Sequence, residues 1–233
     1  MTRRRLPLAA ALAAVAVAAG CVTPKQKDYT KFVAAQPRSI LVIPVMNKSV
    51  SLTASDYFLT TIPVPLAERG YYVFPVNLVK RLLEDEGLSD PGLVHNADTM
   101  RLAGIFGADA VLYITIEQWD AKYMLVQTNV TVSLSYVLKD AKTGEVLWED
   151  GEKMVYASGD AGGGLLGAII SAAVTRAAPD YMPLARKANA QAMAYPGPGF
   201  PAGPYRPEFR KDHPAPLPAQ DASGAPAKQP ASY

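Results

Sequence analysis

From Val126 to Lys139 the chain alternates. Val126, Thr128, Val130, Val132, Leu134, Tyr136 and Leu138 are interleaved with Gln127, Asn129, Thr131, Ser133, Ser135, Val137 and Lys139. A strand sends successive side chains to opposite faces, whereas a helix brings every third or fourth residue round to one side. The run therefore specifies a long extended strand with one dry and one wet face. Asp140-Ala-Lys-Thr-Gly144 follows with turn chemistry, and Glu145 to Tyr156 reads as the returning antiparallel partner. This hairpin is the fixed piece around which the remaining elements must be arranged.

Upstream, Ser39 to Val45 is a nearly continuous apolar run, typical of a strand covered on both faces. Ser55 and Asp56 precede a helical stretch from Tyr57 to Arg69, kinked or broken at Pro63 and Pro65 and stopped by Gly70. Tyr71 to Phe74 reads as a short strand. A helix follows from Asn77 to Glu86, and another from Ala97 to Phe106 with Asn96 before it and Gly107 after it. Ala110 to Ile116 is a further buried strand, and Leu165 to Arg176 and Pro183 to Tyr195 read as closing helices. The predicted fold is an α/β sandwich with a mixed sheet, spanning residues 38–195. With 233 residues, 49% of them hydrophobic and 19% charged, the chain holds one such domain plus appendages and is not wholly disordered.

Both ends differ from the middle. Arg3, Arg4 and Arg5 precede an alanine-rich apolar stretch from Leu6 to Ala19, too short for the roughly 20 residues of a membrane span, so residues 1–20 read as a signal peptide. Its end, Ala18-Ala19-Gly20-Cys21, holds the chain's only cysteine. It resembles the lipobox of bacterial lipoproteins, which implies cleavage between Gly20 and Cys21 and acylation of Cys21. Ala18 stands where leucine is usual. Val22 in place of aspartate implies, by the same resemblance, transport onward to the outer membrane. Residues 21–37 read as the lipidated cysteine and a tether of 16 residues reaching about 50 Å when extended. From Pro196 to Tyr233 there are ten prolines in 38 residues, which predicts a disordered tail, partly polyproline II. A passive extension is preferred there over a ligand for a proline-binding partner or the cell wall.

Several segments taken together carry a wider resemblance: Gln36 to Val45, Ile62 to Pro75, Gly107-Ala-Asp-Ala-Val-Leu-Tyr-Ile114, Thr143 to Trp148, and Gly162 to Gly167. They resemble a family of Gram-negative outer-membrane lipoproteins that includes a surface lipoprotein proposed as a meningococcal vaccine component. The Gly-Ala-Asp strand entry is also similar to that of the N-terminal domain of the Tol-system propeller protein and of the curli-secretion-channel lipoprotein, which implies a related fold. The resemblance further implies a curli-channel-like lipoprotein and a second small lipoprotein as partners. It carries no catalytic residues.

Chemistry elsewhere is sparse. One cysteine and two histidines leave little for a metal site, and no catalytic residue is expected. His213 falls in the tail, and His95 lies in a loop without a nucleophile motif beside it. Gly162 to Gly167 fits a G-x-G-x-x-G spacing, but no following parallel strand completes a dinucleotide unit. Glu117 and Asp120 flank Trp119, and with Glu68 they are the acids considered for acid–base work, although a solvated strand end explains them as well. Gly163, Gly164, Leu165, Leu166 and Gly167 suit close packing against a partner or a second copy, with Trp119 and Tyr123 as aromatic interface candidates. Without the three leading arginines, twenty basic residues face 21 acidic ones, which disfavours nucleic acid. The expectation is a non-enzymatic, lipid-anchored structural or adaptor component of an outer-membrane secretion or transport complex. It would face the periplasm, with surface exposure left open, and carry no cofactor beyond the lipid on Cys21. The alternative is an envelope ligand-binding protein or hydrolase acting on cell-wall material.

Overall fold

The computed structural model describes residues 27–123, 128–157, 180–194 and 199–212. Among the described residues a mixed sheet of six strands runs in the order β3 (Tyr72–Val73), β1 (Ser39–Val42), β4 (Ala110–Tyr123), β5 (Thr128–Asp140) and β6 (Val146–Ala157), with β2 (Met46–Asn47) also paired to β4. β1 (Ser39–Val42) lies parallel to both β3 (Tyr72–Val73) and β4 (Ala110–Tyr123). β5 (Thr128–Asp140) and β6 (Val146–Ala157) continue the sheet antiparallel, so the hairpin forms as the alternation requires. The single strand expected over Ser39–Val45 is divided. Pro44 has no N–H to give the ladder, so β1 stops at Val42 and β2 (Met46–Asn47) resumes on β4.

The expected helix over Tyr57–Arg69 is likewise two pieces, α2 (Ala54–Leu59) and α3 (Pro63–Glu68), with Pro63 in the first turn of the second. Between α4 (Val76–Asp85) and α6 (Thr99–Phe106) the expected loop around His95 is instead a helix, α5 (Pro91–Asn96). Its signal was present: Asp90 accepts from the Gly92 amide, and Pro91 follows at the first helical position. Asn96 therefore ends α5 rather than capping α6. Asp98 caps α6 by accepting from the Arg101 amide, and Gly107 closes it at φ 70°.

The sheet separates two cores. Ile40, Val42, Leu112 and Ile114 face α1 (Thr30–Ala35), α2, α3 and α7 (Met182–Ala192), whereas Leu41, Ile43, Val111 and Tyr113 face α4, α5 and α6. Over β5 and β6 the first core continues through Val130, Val132, Leu134, Tyr136 and Leu138. On the other side Thr131, Ser133 and Ser135 stay half-buried, so among the described residues the hairpin is fully covered on one face only.

Residues 199–212, expected in the tail, pack on the fold. Phe200 is 0% exposed, with the rings of Trp148, Tyr71 and Phe32 at 4.8, 5.2 and 5.3 Å. The Tyr29 hydroxyl donates to the Gly199 carbonyl and the Tyr71 hydroxyl to that of Pro201, both at 2.8 Å. The Gly203 amide donates to the Arg69 carbonyl at 2.7 Å, and a side chain at Gly203 would place its Cβ 2.2 Å from the Gly70 oxygen. Arg69 pairs with Asp212 at 2.7 Å, and Asp212 also accepts from the Ala202 amide. Proline excludes this segment from helix and ladder, but an irregular chain can pack when its polar groups find partners. Residues 213–233 lie outside the described residues. At the other end, Tyr29 and Phe32 are buried, so the stretch 27–37, expected as tether, packs on the fold.

Candidate functional site

A cleft of about 760 Å3 opens beside the start of β6, with Lys27, Ser135, Trp148, Asp150 and Gly151 among its lining residues. The Lys27 ammonium lies 2.6 Å from Asp150 Oδ1, 2.6 Å from the Glu149 carbonyl, and 5.0 Å from the centre of the Trp148 ring. A carboxylate, a carbonyl and an aromatic face together suit a cation. Here the chain's own lysine fills that position and fastens the start of the domain to the sheet edge.

Glu152 follows Asp150 on the same side of β6. Burial pushes its carboxyl above the usual range, and the charge of Asp150 adds to this while Lys27 opposes it. Behind them the buried Tyr136 hydroxyl is pushed well up by desolvation, reinforced by Glu152 and Asp150, so it remains a neutral donor. It donates to Asn189 Oδ1 at 2.7 Å. Asn189 Nδ2 donates to Thr61 Oγ1 at 2.8 Å, and Thr61 to the Phe58 carbonyl at 2.6 Å. The chain joins β5, α7 and the end of α2 through satisfied buried polar groups.

The residues considered from sequence do not converge. His95 sits on α5, its Nε2 3.0 Å from the Pro44 carbonyl and its ring edge-on to Tyr113 at 5.4 Å. Burial lowers its pKa against the opposing effect of that hydrogen bond. Glu117 lies at a bulge in β4 and pairs with Lys48 at 3.0 Å, while Glu68 is exposed at the end of α3. Trp119 is 2% exposed and stacked on Tyr181 at 5.3 Å, so it fills the core instead of presenting an aromatic surface. Tyr123 closes β4 opposite Thr128. Gly20, Cys21, Gly163, Gly164, Leu165, Leu166 and Gly167 lie outside the described residues. Among the described residues no group of three His, Cys, Asp or Glu side chains is placed to hold a metal, and no helix is long and apolar enough to cross a membrane.

Asp109 explains the Gly-Ala-Asp strand entry. Its carboxylate accepts from the Arg38 amide, the Ser39 amide and the Ser39 hydroxyl, each at 3.0 Å, and its own amide donates to Ser39 Oγ at 3.0 Å. The motif clamps the starts of β1 and β4 together. Lys27 and Asp150 were not singled out from sequence, because their 123-residue separation hides the pairing. Phe200 did leave a trace, as an isolated large aromatic among prolines and glycines.

Residues 27–195 match a family model described as "Putative lipoprotein GNA1162-like". A lipoprotein of Neisseria meningitidis serogroup B, named "Putative lipoprotein NMB1124/NMB1162", is 37% identical over 174 residues, covering 74% of this chain and 81% of that protein. The crystal structure of lipoprotein GNA1162 from Neisseria meningitidis is similar with a TM-score of 0.53 and 35% identity, covering 58% of this chain and 94% of that one.

Proposed function

The chain belongs to the GNA1162-like lipoprotein family, and on that premise we propose that it is a non-enzymatic adaptor, acylated at Cys21 and held at the outer membrane facing the periplasm. In this reading it assembles with a second envelope lipoprotein in a secretion or transport complex. The observation that carries the adaptor role is the one-sided hairpin half of the sheet. Beyond Ile114 of β4, and along most of β5 and β6, the sheet is covered on one face among the described residues, while the other carries Thr131, Ser133, Ser135, Lys153 and a 58% exposed Val155. A long strand at the sheet edge among the described residues, with a mostly polar face beside it, suits strand-on-strand or face-on-face docking.

The test places a photo-crosslinking side chain at Val155 on β6, and at Arg81 on α4 as the control, in the full chain in living cells. The adaptor reading expects an adduct with another envelope lipoprotein from position 155 and none from 81. Equal labelling from both positions, or none from either, overturns it; an adduct with a second copy makes the surface a homo-oligomer contact instead. Cys21→Ser is expected to abolish fatty-acid labelling and release the protein from membranes, and surviving label sinks the anchor.

A ligand-binding or hydrolytic role is favoured by one observation, the neighbouring Asp150 and Glu152 with the latter held toward its protonated form. Catalysis there would require Lys27 to leave Asp150. Release of cell-wall fragments by the purified protein, lost in Glu152→Gln, would establish it.

A further inference from the structure

We propose that the end of the sheet around Lys27, comprising α1, the turn at 141–145 and the start of β6, faces the headgroups of the bilayer, no farther off than the short chain to Cys21 allows. This rests on the acylation of Cys21 given above. The argument is one of reach. Five residues, Val22 to Gln26, separate Cys21 from Lys27, and even fully extended the path between those two Cα atoms is about 20 Å.

The chain cannot lengthen this leash cheaply. Lys27 is pinned to Asp150 and Glu149, and immediately after it Tyr29 and Phe32 are buried in the first core. The long tether expected from sequence is thus mostly absorbed into the fold. A domain of this size is roughly 40 Å across, so the leash is about half a diameter, and the pole that carries Lys27 stays on the membrane side.

The surface there fits headgroups rather than acyl chains. Lys31 pairs with Glu145 at 2.8 Å, and Asp28, Lys142 and Glu149 are exposed on the same elements together with Val146, giving a mostly polar surface of mixed sign. Such a surface can rest on a zwitterionic leaflet without insertion. Strands β4, β5 and β6 then point away from the lipid, because Ala157 lies seven residues beyond Asp150, or about 23 Å along β6. The far end of the hairpin is carried out to where a protein partner can reach it.

The experiment uses the full-length lipidated protein in phosphatidylethanolamine-rich liposomes. Acylation blocks the sulfur of Cys21, the only native cysteine, so one introduced cysteine takes a single fluorophore. Lys31→Cys marks the near pole and Val155→Cys the far end of β6. With nitroxide on the lipid headgroups, quenching is expected to be severalfold stronger at position 31 than at 155. Inserting ten Gly/Ser residues after Val22 should erase most of the difference. Equal quenching at the two positions, or stronger quenching at 155, in protein that floats with the liposomes overturns the orientation while leaving the anchor standing. Protein that fails to float overturns the anchor and the orientation with it. Circular dichroism of each labelled variant confirms that the fold is intact.

Discussion

The two halves of the sheet meet within one strand, and β4 shows the change residue by residue. From Ala110 to Ile114 every side chain is buried, because helices lie on both faces and β1 runs alongside. From Thr115 onward β4 is covered on one face only among the described residues, and burial becomes intermittent. The bulge at Glu117 shifts the parity, so Ile116 and Trp119, three residues apart, both reach the first core. The pattern along a strand thus reports how many of its faces are covered, and it can switch partway along without the strand ending.

The halves also differ in what covers them. The helices over the second core of the parallel half, α4, α5 and α6, are adjacent to its strands in sequence. The covered side of the hairpin half draws on α7 and the 199–212 segment, both from the far end of the chain, together with α1 against β6. The largest expected effect tests this dependence. Phe200→Ala should cost about 3–5 kcal/mol, a loss of melting temperature on the order of 10 °C. Deleting residues 199–233 should cost at least as much. A melting curve unchanged by either variant would falsify the view that this segment belongs to the fold.

Next come paired substitutions that compare the halves directly. In β1, Ile40→Ala and Leu41→Ala are neighbours on opposite faces, and each should cost about 2–5 kcal/mol. In β5, Leu134→Ala should cost a similar amount, whereas Ser133→Ala should stay within about 0.5 kcal/mol. Urea titration of the four variants checks this, and a large loss in Ser133→Ala would mean that something covers the second face.

A smaller effect is expected from Asn189→Ala, which strands the Tyr136 hydroxyl and removes a donor to Thr61. About 1–3 kcal/mol should be lost. Adding Tyr136→Phe should recover part of it in a double-mutant cycle, and strict additivity of the two substitutions would show that the chain is not coupled.

The smallest effects are pH effects of opposite sign in the two halves. Glu152 has a raised pKa, so the folded state holds its proton more tightly and stability falls as pH rises from the ordinary 4.5 through the folded value. Glu152→Gln should therefore raise the melting temperature at pH 7, by less than about 2 °C for this part-exposed group, and the gain should vanish near pH 4. His95 has a lowered pKa, so its contribution is present above 6.5 and is lost as pH falls through the folded value. His95→Gln should flatten that acid-side loss. Thermal melts between pH 4 and 8 separate the two, and a stability curve that neither substitution alters would show that these groups do not titrate as their surroundings imply.

Much of the architecture was readable locally. The hairpin and its dry face follow from strict alternation, the helix stop at Gly107 from a left-handed cap, and the interruption at Pro44 from a missing donor. The helix α5 follows from the Asp90-Pro91 start, where an aspartate cap precedes a proline in the first turn. The candidate site was not legible. Its key contacts join Lys27 to Asp150 and Tyr136 to Asn189, and no periodicity connects residues so far apart in the chain.

Composition misled at one place for a physical reason. Ten prolines bar regular hydrogen bonding, and that determines what Pro196 onward cannot form; it does not determine whether one aromatic ring will find a pocket. The sequence by itself therefore determined the local conformations, because steric preference, side-chain periodicity and caps act within a few residues. Only the tertiary structure decided which faces are covered, that Tyr29 and Phe32 join the first core, and where Phe200 goes. Those outcomes depend on burial shared among distant segments, and burial is a property of the packed assembly.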